Sequence, residues 1–584
     1  MGTISDKLMR IINTKEDIRQ ALISKGYDVP TSIPFKEYAK MILDLPCKVD
    51  SFPDIEGIVA RYSASGLTNE QMAANPVWVD KTDNGHDLQM KNFAWGGMSG
   101  VGGYTENYNS NRWYKVGSRI DVTWTYKSFN ARSIKDNRAA QLFYQSLPSN
   151  TGFRVLSCTI KVSGLTDGQG IEYVSNGTQP IAIMRIENDG IYHLPSFDFG
   201  AKNAYYGFKF LKLQESCNIT IEQLPLYPGA LVFDGVDDYG VCDNFPILTK
   251  EKGYTVVALR QWITYNPNAI SAIATNASDQ SFNGAFTFEN YNKGAEQTIS
   301  YGATQITLQY SKSPFSWQTT SKYNGVNIAN GKKDATNSLV LGRSYPQRNE
   351  FANFAIWELV FLDHDATEEE LTKIKDYFVK TYPWLFPDQA WTVTGKTNED
   401  EDRATIANIT GNGNNLVLSN FGFVEGSGYN EEGEYAGYLV TDGVDDKIVS
   451  SAFKMGKDFT VVGEWEFIDN KKSGTGLVKG SSFYIYNTMI GLDLYINSGS
   501  VINSLDGIKS INAACSDGRA YDPNWDEILA NTGNVVGSGG ILEVSSSGGR
   551  FDRIAFKNLA IYPRILSKDD CIKAYNYLQT LKAK

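Results

Sequence analysis

The sequence has few cysteines, few histidines and no long apolar run, and each shortage excludes a class of protein. The six cysteines among 584 residues show no C-x-x-C spacing, which excludes the disulfide framework of a small secreted domain. The three histidines, His86, His193 and His364, are far apart in sequence, so a serine–histidine–aspartate triad or a histidine-rich metal site is poorly supported. Eighteen consecutive apolar residues occur nowhere, so we expect no insertion into a membrane.

Positive charge is also scarce. The chain has 55 Lys and Arg against 66 Asp and Glu, which gives a formal net charge of −11. Such a chain repels phosphate backbones, so nucleic acid is not an expected partner. The N-terminal residues MGTISDKLMR contain no apolar core of a secretory signal, so we expect synthesis in a reducing cytoplasm.

Aromatic residues and glycine are abundant instead, with 33 Tyr, 29 Phe and 53 Gly. Aromatic residues favour strands, and glycine favours the turns between them. The composition therefore predicts a mainly β protein. A length of 584 residues suggests roughly four domains of about 150 residues each.

An internal repeat sets the domain organisation. The peptide DGVDD occurs at 234–238 and 442–446, and GLTNE at 66–70 matches GKTNE at 395–399. Further matches keep the same order, which indicates one duplicated domain. Gly100 and Asp234 are 134 positions apart whereas their counterparts Gly428 and Asp442 are 14 apart, so the first copy carries 120 additional residues.

The additional residues contain strand-like runs, with ENDGI at 187–191 as a hairpin turn signal, and predict an inserted β-sandwich. Each copy of the duplicated domain is expected to end in a helix, capped by Thr367 with Glu370 in the first copy and by Ser567 with Asp570 in the second. The predicted domains are a helical N-terminal anchor at 1–50, the first copy at 51–103 plus 229–388, the inserted sandwich at 104–228 and the second copy at 389–584.

The N-terminal segment differs from the rest because its apolar residues recur at helical spacing. Isolated helices of this length are marginal in water, so we expect them to dock on another surface. They either cap the first domain or form an assembly anchor, and we favour the anchor. Its apolar stripe comprises Leu8, Ile11, Ile18, Leu22, Phe35 and Tyr38.

The repeated DGVDD peptide allows three roles. Asp234 and Asp442 accept backbone N–H bonds if the peptide is a turn, in which Gly235 and Gly443 supply a positive φ. The other two acids of each motif, with loop carbonyls, offer a calcium site as the alternative. Catalysis is the third role, but these acids have no partner across a cleft. We predict structural turns, no catalytic or metal-ligating residue, and no cofactor unless calcium binds here.

Several segments resemble a known fold family. LVFDGVDDYG, LVLGR, FANFAIWELVFLDHDATEEEL and FKNLAIYPRILSKDDCI resemble concanavalin A-like, laminin-G-type jelly rolls. The resemblance covers both copies and implies two jelly-roll sandwiches, an inserted β-sandwich domain and a short α-helical anchor. The N-terminal segment, GHDLQMKNFAWGGMSGVGGY and ITIEQLPLYPGALVFDGVDD are similar to structural proteins of Bacteroides-type, crAss-like bacteriophages.

One pair of acidic residues bears on whether the chain is an enzyme. In GEWEFID, at 463–469, Glu464 and Glu466 alternate onto one face of a strand, as a pair for glycoside hydrolysis requires. The spacing departs from the E-x-D-x-x-E pattern of jelly-roll glucanases, and the first copy has Leu259 and Gln261 at these positions. We interpret the stretch as a solvent-facing charged strand and predict that the chain is not an enzyme.

The resemblance implies a protein of the virion surface that is assembled in the bacterial cytoplasm. Without a long shaft of heptads or β-helical repeats, a capsid-attached head fibre or decoration is favoured over a tail fibre or baseplate receptor-binding protein. The implied partners are other virion proteins through the N-terminal helices, further copies in a dimer or trimer, and host-surface or mucin glycans. No glycan-binding residue is assigned, and a glycan depolymerase is the second alternative.

Overall fold

The structure is a computed structural model that describes residues 52–583 with gaps, the longest being 134–140, 147–152, 200–204, 265–271, 278–286, 289–303, 311–316, 320–334, 344–348, 469–474, 497–504 and 530–538. Of the first 51 residues it describes Lys15 and Arg19, both helical, so the six residues of the predicted anchor stripe lie outside the described residues. The chain divides into two compact units, Met1–Asp54 and Ile55–Lys584. All described strands belong to the second unit. Within the described part of the chain, no helix has the length and apolar character to cross a membrane.

The first sandwich consists of two antiparallel sheets formed by residues 58–101 and 231–362. One sheet has the order Trp317–Thr319, Gln305–Tyr310, Thr255–Thr264, Asn353–Leu362, Leu231–Asp234 and Gly100–Val101, with Ile58–Ser63 also paired to Asn353–Leu362. The other has the order Val77–Trp78, Leu88–Lys91, Tyr239–Cys242, Ala335–Leu341, Ala274–Ala277 and Thr287–Phe288. Buried apolar residues from both sheets form one core between them.

The inserted sandwich has two five-stranded sheets around a core of its own. Their orders are Gly190–Leu194, Cys158–Ser163, Asn218–Gln223, Ser128–Ser133 and Ile120–Trp124 in one, and Pro180–Ile186, Gly170–Asn176, Tyr205–Leu211, Gln141–Ser146 and Trp113–Val116 in the other. Phe153–Val155 pairs separately with Phe197–Phe199. The predicted ENDGI hairpin is wrong, because the strands on its two sides, Pro180–Ile186 and Gly190–Leu194, belong to different sheets.

The second sandwich has two eight-stranded sheets around a third core. One has the order Gly428–Tyr429, Leu439–Val440, Ile554–Tyr562, Thr460–Phe467, Ala513–Cys515, Arg519–Tyr521 and Glu527–Leu529, with Gln389–Thr392 paired to Ile554–Tyr562. The other has the order Thr405–Ile406, Leu416–Ser419, Lys447–Ser450, Glu543–Val544, Thr475–Gly480, Phe483–Asn487, Gly491–Ile496 and Leu505–Asp506. Phe453–Lys454 pairs with Gly539–Gly540, and Ser546–Ser547 pairs with Arg550–Phe551.

Helices are few among the described residues of the second unit: Asn69–Ala74, Glu368–Thr381, a short 3-10 turn at Pro383–Leu385, and Lys568–Leu578. Thr367 and Glu370 form a full capping box, and the Ser567 side chain accepts a hydrogen bond from the Asp570 N–H. The prediction of a mainly β protein built from sandwich-like antiparallel sheets is confirmed.

The two copies share side-chain hydrogen bonds as well as strands. Asn69 accepts a hydrogen bond from the Val101 N–H at 2.7 Å and donates one to the Val101 carbonyl at 3.0 Å. Asn398 makes the same pair of bonds with Tyr429, both at 2.8 Å. In each copy an amide side chain thus substitutes for a neighbouring strand. Because Asn69 matches Asn398 in the GLTNE and GKTNE peptides, the sequence repeat reflects a repeated structure.

Candidate functional site

The two DGVDD peptides form the same turn. The Asp234 carboxylate accepts hydrogen bonds from the N–H groups two and three residues further on, at 2.7 and 3.4 Å, and Gly235 has a φ of +76°. Asp442 makes the equivalent bonds at 2.7 and 3.3 Å, and Gly443 has a φ of +74°. A positive φ costs glycine little, so each glycine allows the chain to reverse here.

The last acid of each motif is buried beneath the turn. Asp238 accepts hydrogen bonds from the Asp234 N–H and from the Ser99 hydroxyl, both at 2.9 Å, and burial raises its pKa to about 7. Asp446 is held in the same way in the second copy, where Ser427 is the hydroxyl donor and burial raises the pKa of the acid to about 6.

Each motif also brings three acids together. Their carboxylate oxygens lie within 4.8 Å of one another in both copies. Calcium accepts such oxygen ligands, so these are the residues that would hold it. Both oxygens of the buried acid already accept hydrogen bonds from the chain itself, so the turn is complete with its own donors.

Glu464 is buried, so the prediction of a solvent-facing charged strand is wrong at this position. Its side chain is 8% exposed, its Oε1 lies 3.2 Å from the Lys557 ammonium, and it accepts a hydrogen bond from the Tyr438 hydroxyl. Burial alone would raise the pKa of Glu464, but Lys557 and His193 outweigh it and lower that pKa to about 2. A β-bulge between Glu464 and Trp465 interrupts the simple alternation toward Glu466, which is half-buried.

His193 brings the inserted sandwich against this ion pair. Its Nε2 lies 4.0 Å from Glu464 Oε1, and its ring packs edge-on against Tyr575 with centroids 6.0 Å apart. Burial lowers the pKa of His193 to about 4, so the ring is uncharged at neutral pH. The cluster is therefore a contact between two sandwiches, and His193, the neighbour that covers Glu464, is 271 positions away in sequence.

The other two histidines lie elsewhere in the first sandwich. His364 contacts the carboxylates of Asp363 at 3.2 Å and Glu370 at 3.3 Å, next to the start of the helix Glu368–Thr381. His86 packs edge-on against Phe245, with centroids 5.7 Å apart. The structure thus places the three histidines in three separate surroundings.

A cleft of about 270 Å³ lies between the first and second sandwiches. The first sandwich contributes the strand Gln305–Tyr310 and the helix Glu368–Thr381, and the second contributes residues near 409–412 and 563–564 and the helix Lys568–Leu578. No repeat or motif marks this cleft, because its residues come from segments far apart in sequence. Its lining includes the polar or charged side chains of Gln305, Lys375, Asp388, Asn412 and Arg564 and the aromatic ring of Phe386.

A wider and more open groove of about 630 Å³ lies on the second sandwich alone. It is lined by three acids, Glu399, Glu425 and Glu431, beside Phe423 and Tyr429. Its net charge is negative, and the acids lie at its exposed margin. The groove offers less enclosure and fewer kinds of polar group than the cleft.

Comparisons with known proteins match solved structures but no known sequence family. No family model matches the sequence, and no curated protein matches it. Trypanosoma rangeli sialidase in complex with sialic acid matches at 9% identity and a TM-score of 0.25, over 80% of this chain and 85% of the sialidase chain. The N-terminal CBM22-1–CBM22-2 tandem domain of Paenibacillus barcinonensis Xyn10C matches at 9% identity and a TM-score of 0.15, over 46% of this chain and 99% of that chain.

These matches correct the prediction that the chain is not an enzyme. Sialidases are enzymes, and they are among the solved structures that match. The sequence argument addressed scarce histidines and the spacing of one acid pair, and neither point covers a site that folding assembles from distant segments. At 9% identity and a TM-score of 0.25, the match assigns no reaction and no substrate to this chain.

Proposed function

We propose that this chain is a bacteriophage virion protein, a head fibre or decoration attached to the capsid, that binds glycans of the host surface or of mucus. The virion part of the proposal rests on the resemblance of the N-terminal segment and of the peptides near Gly100 and Asp234 to phage structural proteins. The glycan part rests on the cleft between the first and second sandwiches.

The lining of the cleft is the observation that carries glycan binding. Saccharides present apolar ring faces together with many hydroxyl groups, and sites for small ligands combine an apolar surface with a few placed polar groups. Phe386 supplies aromatic surface, while Asp388, Thr410 and Asn412 supply carboxylate, hydroxyl and amide groups. The volume of about 270 Å³ is near the lower limit of small-ligand pockets, which suits one sugar residue.

Attachment to the particle is assigned to residues 1–50. Their apolar side chains recur at helical spacing, and burying each large one is worth about 1.5–3 kcal/mol. The proposed partners of this segment are capsid proteins and other copies of the chain, in a dimer or trimer. The protein would assemble in the bacterial cytoplasm and then lie on the virion surface.

The full chain on an array of neutral and acidic host-surface and mucin glycans tests the glycan part. We expect binding to a defined subset, and an array without any bound glycan would reject this function. The same glycans, incubated with the chain and assayed for new reducing ends, decide whether binding is accompanied by hydrolysis. Release of reducing sugar would make the chain a glycan depolymerase.

A chain that lacks residues 1–50 tests the anchor. We expect it to keep the thermal transition of the full chain, because the three sandwich cores lie outside the deleted segment. We also expect it to be absent from purified particles. Immunogold labelling of particles that carry the full chain should mark the capsid, whereas label at the tail would replace head by tail attachment. Normal incorporation of the truncated chain would show that the anchor lies elsewhere.

A further inference from the structure

Two cationic side chains line the cleft without an ion-pair partner among the described residues. Lys375 comes from the helix Glu368–Thr381 of the first sandwich, and Arg564 follows the strand Ile554–Tyr562 of the second. Arg564 donates one hydrogen bond, from Nη1 to the Val379 carbonyl at 3.2 Å. A guanidinium has five N–H donors, so this contact leaves most of them available. Burial lowers the pKa of Arg564, as expected for a cation that lacks an opposing charge.

The one carboxylate of the cleft lining is already engaged by other groups. Asp388 accepts hydrogen bonds from the Gln389 side chain at 2.9 Å and from the Asn412 side chain at 3.3 Å. Amide N–H groups therefore stabilise the negative charge of Asp388. Among the described residues, Asp388 forms no ion pair with Lys375 or Arg564. The cleft consequently combines an excess of positive charge with amide and hydroxyl groups.

A buried polar atom adds a second, independent sign of a ligand. Gln305 lines the cleft and is 3% exposed, and its Oε1 has no hydrogen-bond partner among the described residues. A buried acceptor without a partner costs about 1–3 kcal/mol, and a donor that reaches it removes that cost. A hydroxyl group of a ligand is a suitable donor for this oxygen.

We propose that the cleft binds an acidic saccharide, whose carboxylate or sulfate group contacts Arg564 and Lys375 while its hydroxyl groups contact Asn412 and Gln305. This inference rests on the proposed function and specifies its ligand class. Guanidinium groups pair with such anions through two parallel hydrogen bonds, which give geometric selection as well as affinity. The face of Phe386 provides apolar contact for the sugar ring.

Three related ligands test the charge preference with the full chain. Lactose is the neutral probe, 3′-sialyllactose adds a carboxylate, and lactose 3′-sulfate adds a sulfate. We expect isothermal titration calorimetry to give dissociation constants at least about tenfold lower for one or both acidic ligands, because hydrogen bonds to charged groups are worth about 1.5–3 kcal/mol. The two acidic ligands together show whether a carboxylate or a sulfate is preferred.

Substitutions then show which side chains cause the preference for acidic ligands. Arg564→Gln and Lys375→Gln are each expected to weaken the acidic ligand about tenfold while lactose binding changes little. Lys380→Gln, on the same helix but outside the cleft lining, is the matched control and should bind like the wild type. Since Arg564 also holds the Val379 carbonyl, circular dichroism melts check that variant, and Lys375 is exposed enough to test the charge without a folding effect.

The outcomes separate this inference from the proposed function. Equal affinity for lactose and both acidic ligands, or an equal loss in the Lys380 control, overturns the acidic-saccharide assignment while a positive glycan array leaves glycan binding in place. If none of the three ligands binds, the assignment fails as well, and the array alone then decides whether the chain binds glycans.

Discussion

Asp238 and Asp446 are acids in positions where a neutral side chain would be easier to bury. Each accepts hydrogen bonds from a backbone N–H and a serine hydroxyl, which favour the charged form. Burial opposes that form and prevails, so the pKa of Asp238 rises from 3.8 to about 7. The folded chain therefore holds a proton there at pH values where the unfolded chain has released it, and stability falls as the pH rises from about 4 through 7.

Replacing Asp238 by Asn tests this linkage. The amide oxygen retains the acceptor for the Asp234 N–H, and the amide nitrogen can donate to Ser99. We expect Asp238→Asn to raise the free energy of unfolding at pH 8 by about 1–3 kcal/mol, with a gain that shrinks toward pH 5. Thermal melts between pH 5 and pH 8 measure it. Asp83→Asn is the control, since Asp83 is an exposed acid outside this turn and should leave the pH profile unchanged.

The same melts address the calcium alternative. If the DGVDD peptides are turns, the melting temperature in calcium chloride should equal that in a chelator. A rise with calcium that Asp237→Asn abolishes would instead establish a metal site at this turn. A lower melting temperature for Asp238→Asn at every pH would show that the carboxylate is needed in its charged form.

At the scale of single elements, the strands Thr255–Thr264 and Thr460–Phe467 occupy equivalent places and share a β-bulge. They differ in what covers them. Leu259 occupies the bulge in the first copy, whereas Glu464 occupies it in the second and pairs with Lys557, where the first copy has Trp357. The ion pair is thus an addition of the second copy, at the place where the inserted sandwich makes contact through His193.

Removing one partner of this ion pair and replacing both partners by apolar residues should affect stability differently. Glu464→Gln leaves the largely buried Lys557 without its carboxylate and should cost about 3 kcal/mol of stability. The double change Glu464→Leu with Lys557→Met imitates the apolar first copy and should recover part of that loss, since the Tyr438 hydroxyl loses its acceptor in this variant. Midpoints of chemical denaturation measure both, and Glu527→Gln on an exposed strand position is the control. A double variant as unstable as the single one would contradict this account.

The glycine-rich peptide GGMSGVGGY shows how an element's sequence can reflect a neighbour. Gly96 and Gly102 lie against Tyr126 and Pro225 of the inserted segment, and a Cβ at either glycine would come within 2.9 Å of those side chains. At the position of Gly96 the second copy has Val424, which is 59% exposed. The glycines therefore allow close approach of the inserted sandwich, in addition to marking the point where it begins.

At the scale of the whole molecule, the additional residues leave and rejoin the first sandwich on paired strands. Val101 lies opposite Leu231 and Gly100 opposite Val232, and the second copy pairs Gly428–Tyr429 with Leu439–Val440 in the same way. Neighbouring strands are about 4.8 Å apart, so the ends of the insertion are adjacent in space. The C-terminal helix of the second sandwich is contacted from both sides, by His193 against Tyr575 and by the Thr304 N–H bonded to the Tyr577 hydroxyl.

Exchanging residues 101–233 for residues 429–441 tests this organisation. The graft supplies the two short paired strands, and shortening a loop changes its closure entropy by only about 0.6 kcal/mol per halving. We expect the first sandwich to stay folded and the isolated segment 104–228 to fold alone around its own core. The second sandwich should melt at a lower temperature because it loses the His193 contact.

Circular dichroism and thermal melts of the grafted chain and of the isolated segment decide the matter. His193→Ala in the full chain is the matched control, and it should reproduce part of the loss in the second sandwich. A molten grafted chain together with an unfolded isolated segment would mean that residues 104–228 belong to the core of the first sandwich.

Local features of this protein could be predicted from its sequence. Asx turns at Asp234 and Asp442 need one acid and one glycine in adjacent positions, and the helix cap at Thr367 needs a partner three residues later. Hydrogen bonds of this kind close within a few residues, so the letters alone determine them. The duplication is equally visible, because repeated letters in a conserved order require no knowledge of contacts.

The burial of Glu464 and the composition of the cleft were decided only by the tertiary structure. A strand shows which side chains share a face, but the environment of that face depends on His193 from another sandwich and on Lys557 from a neighbouring strand. The cleft likewise joins Gln305, Lys375 and Arg564, which are separated by 70 to 259 positions in the chain. Charge, burial and unmet hydrogen bonds at such places arise from packing between segments, and no local pattern contains that information.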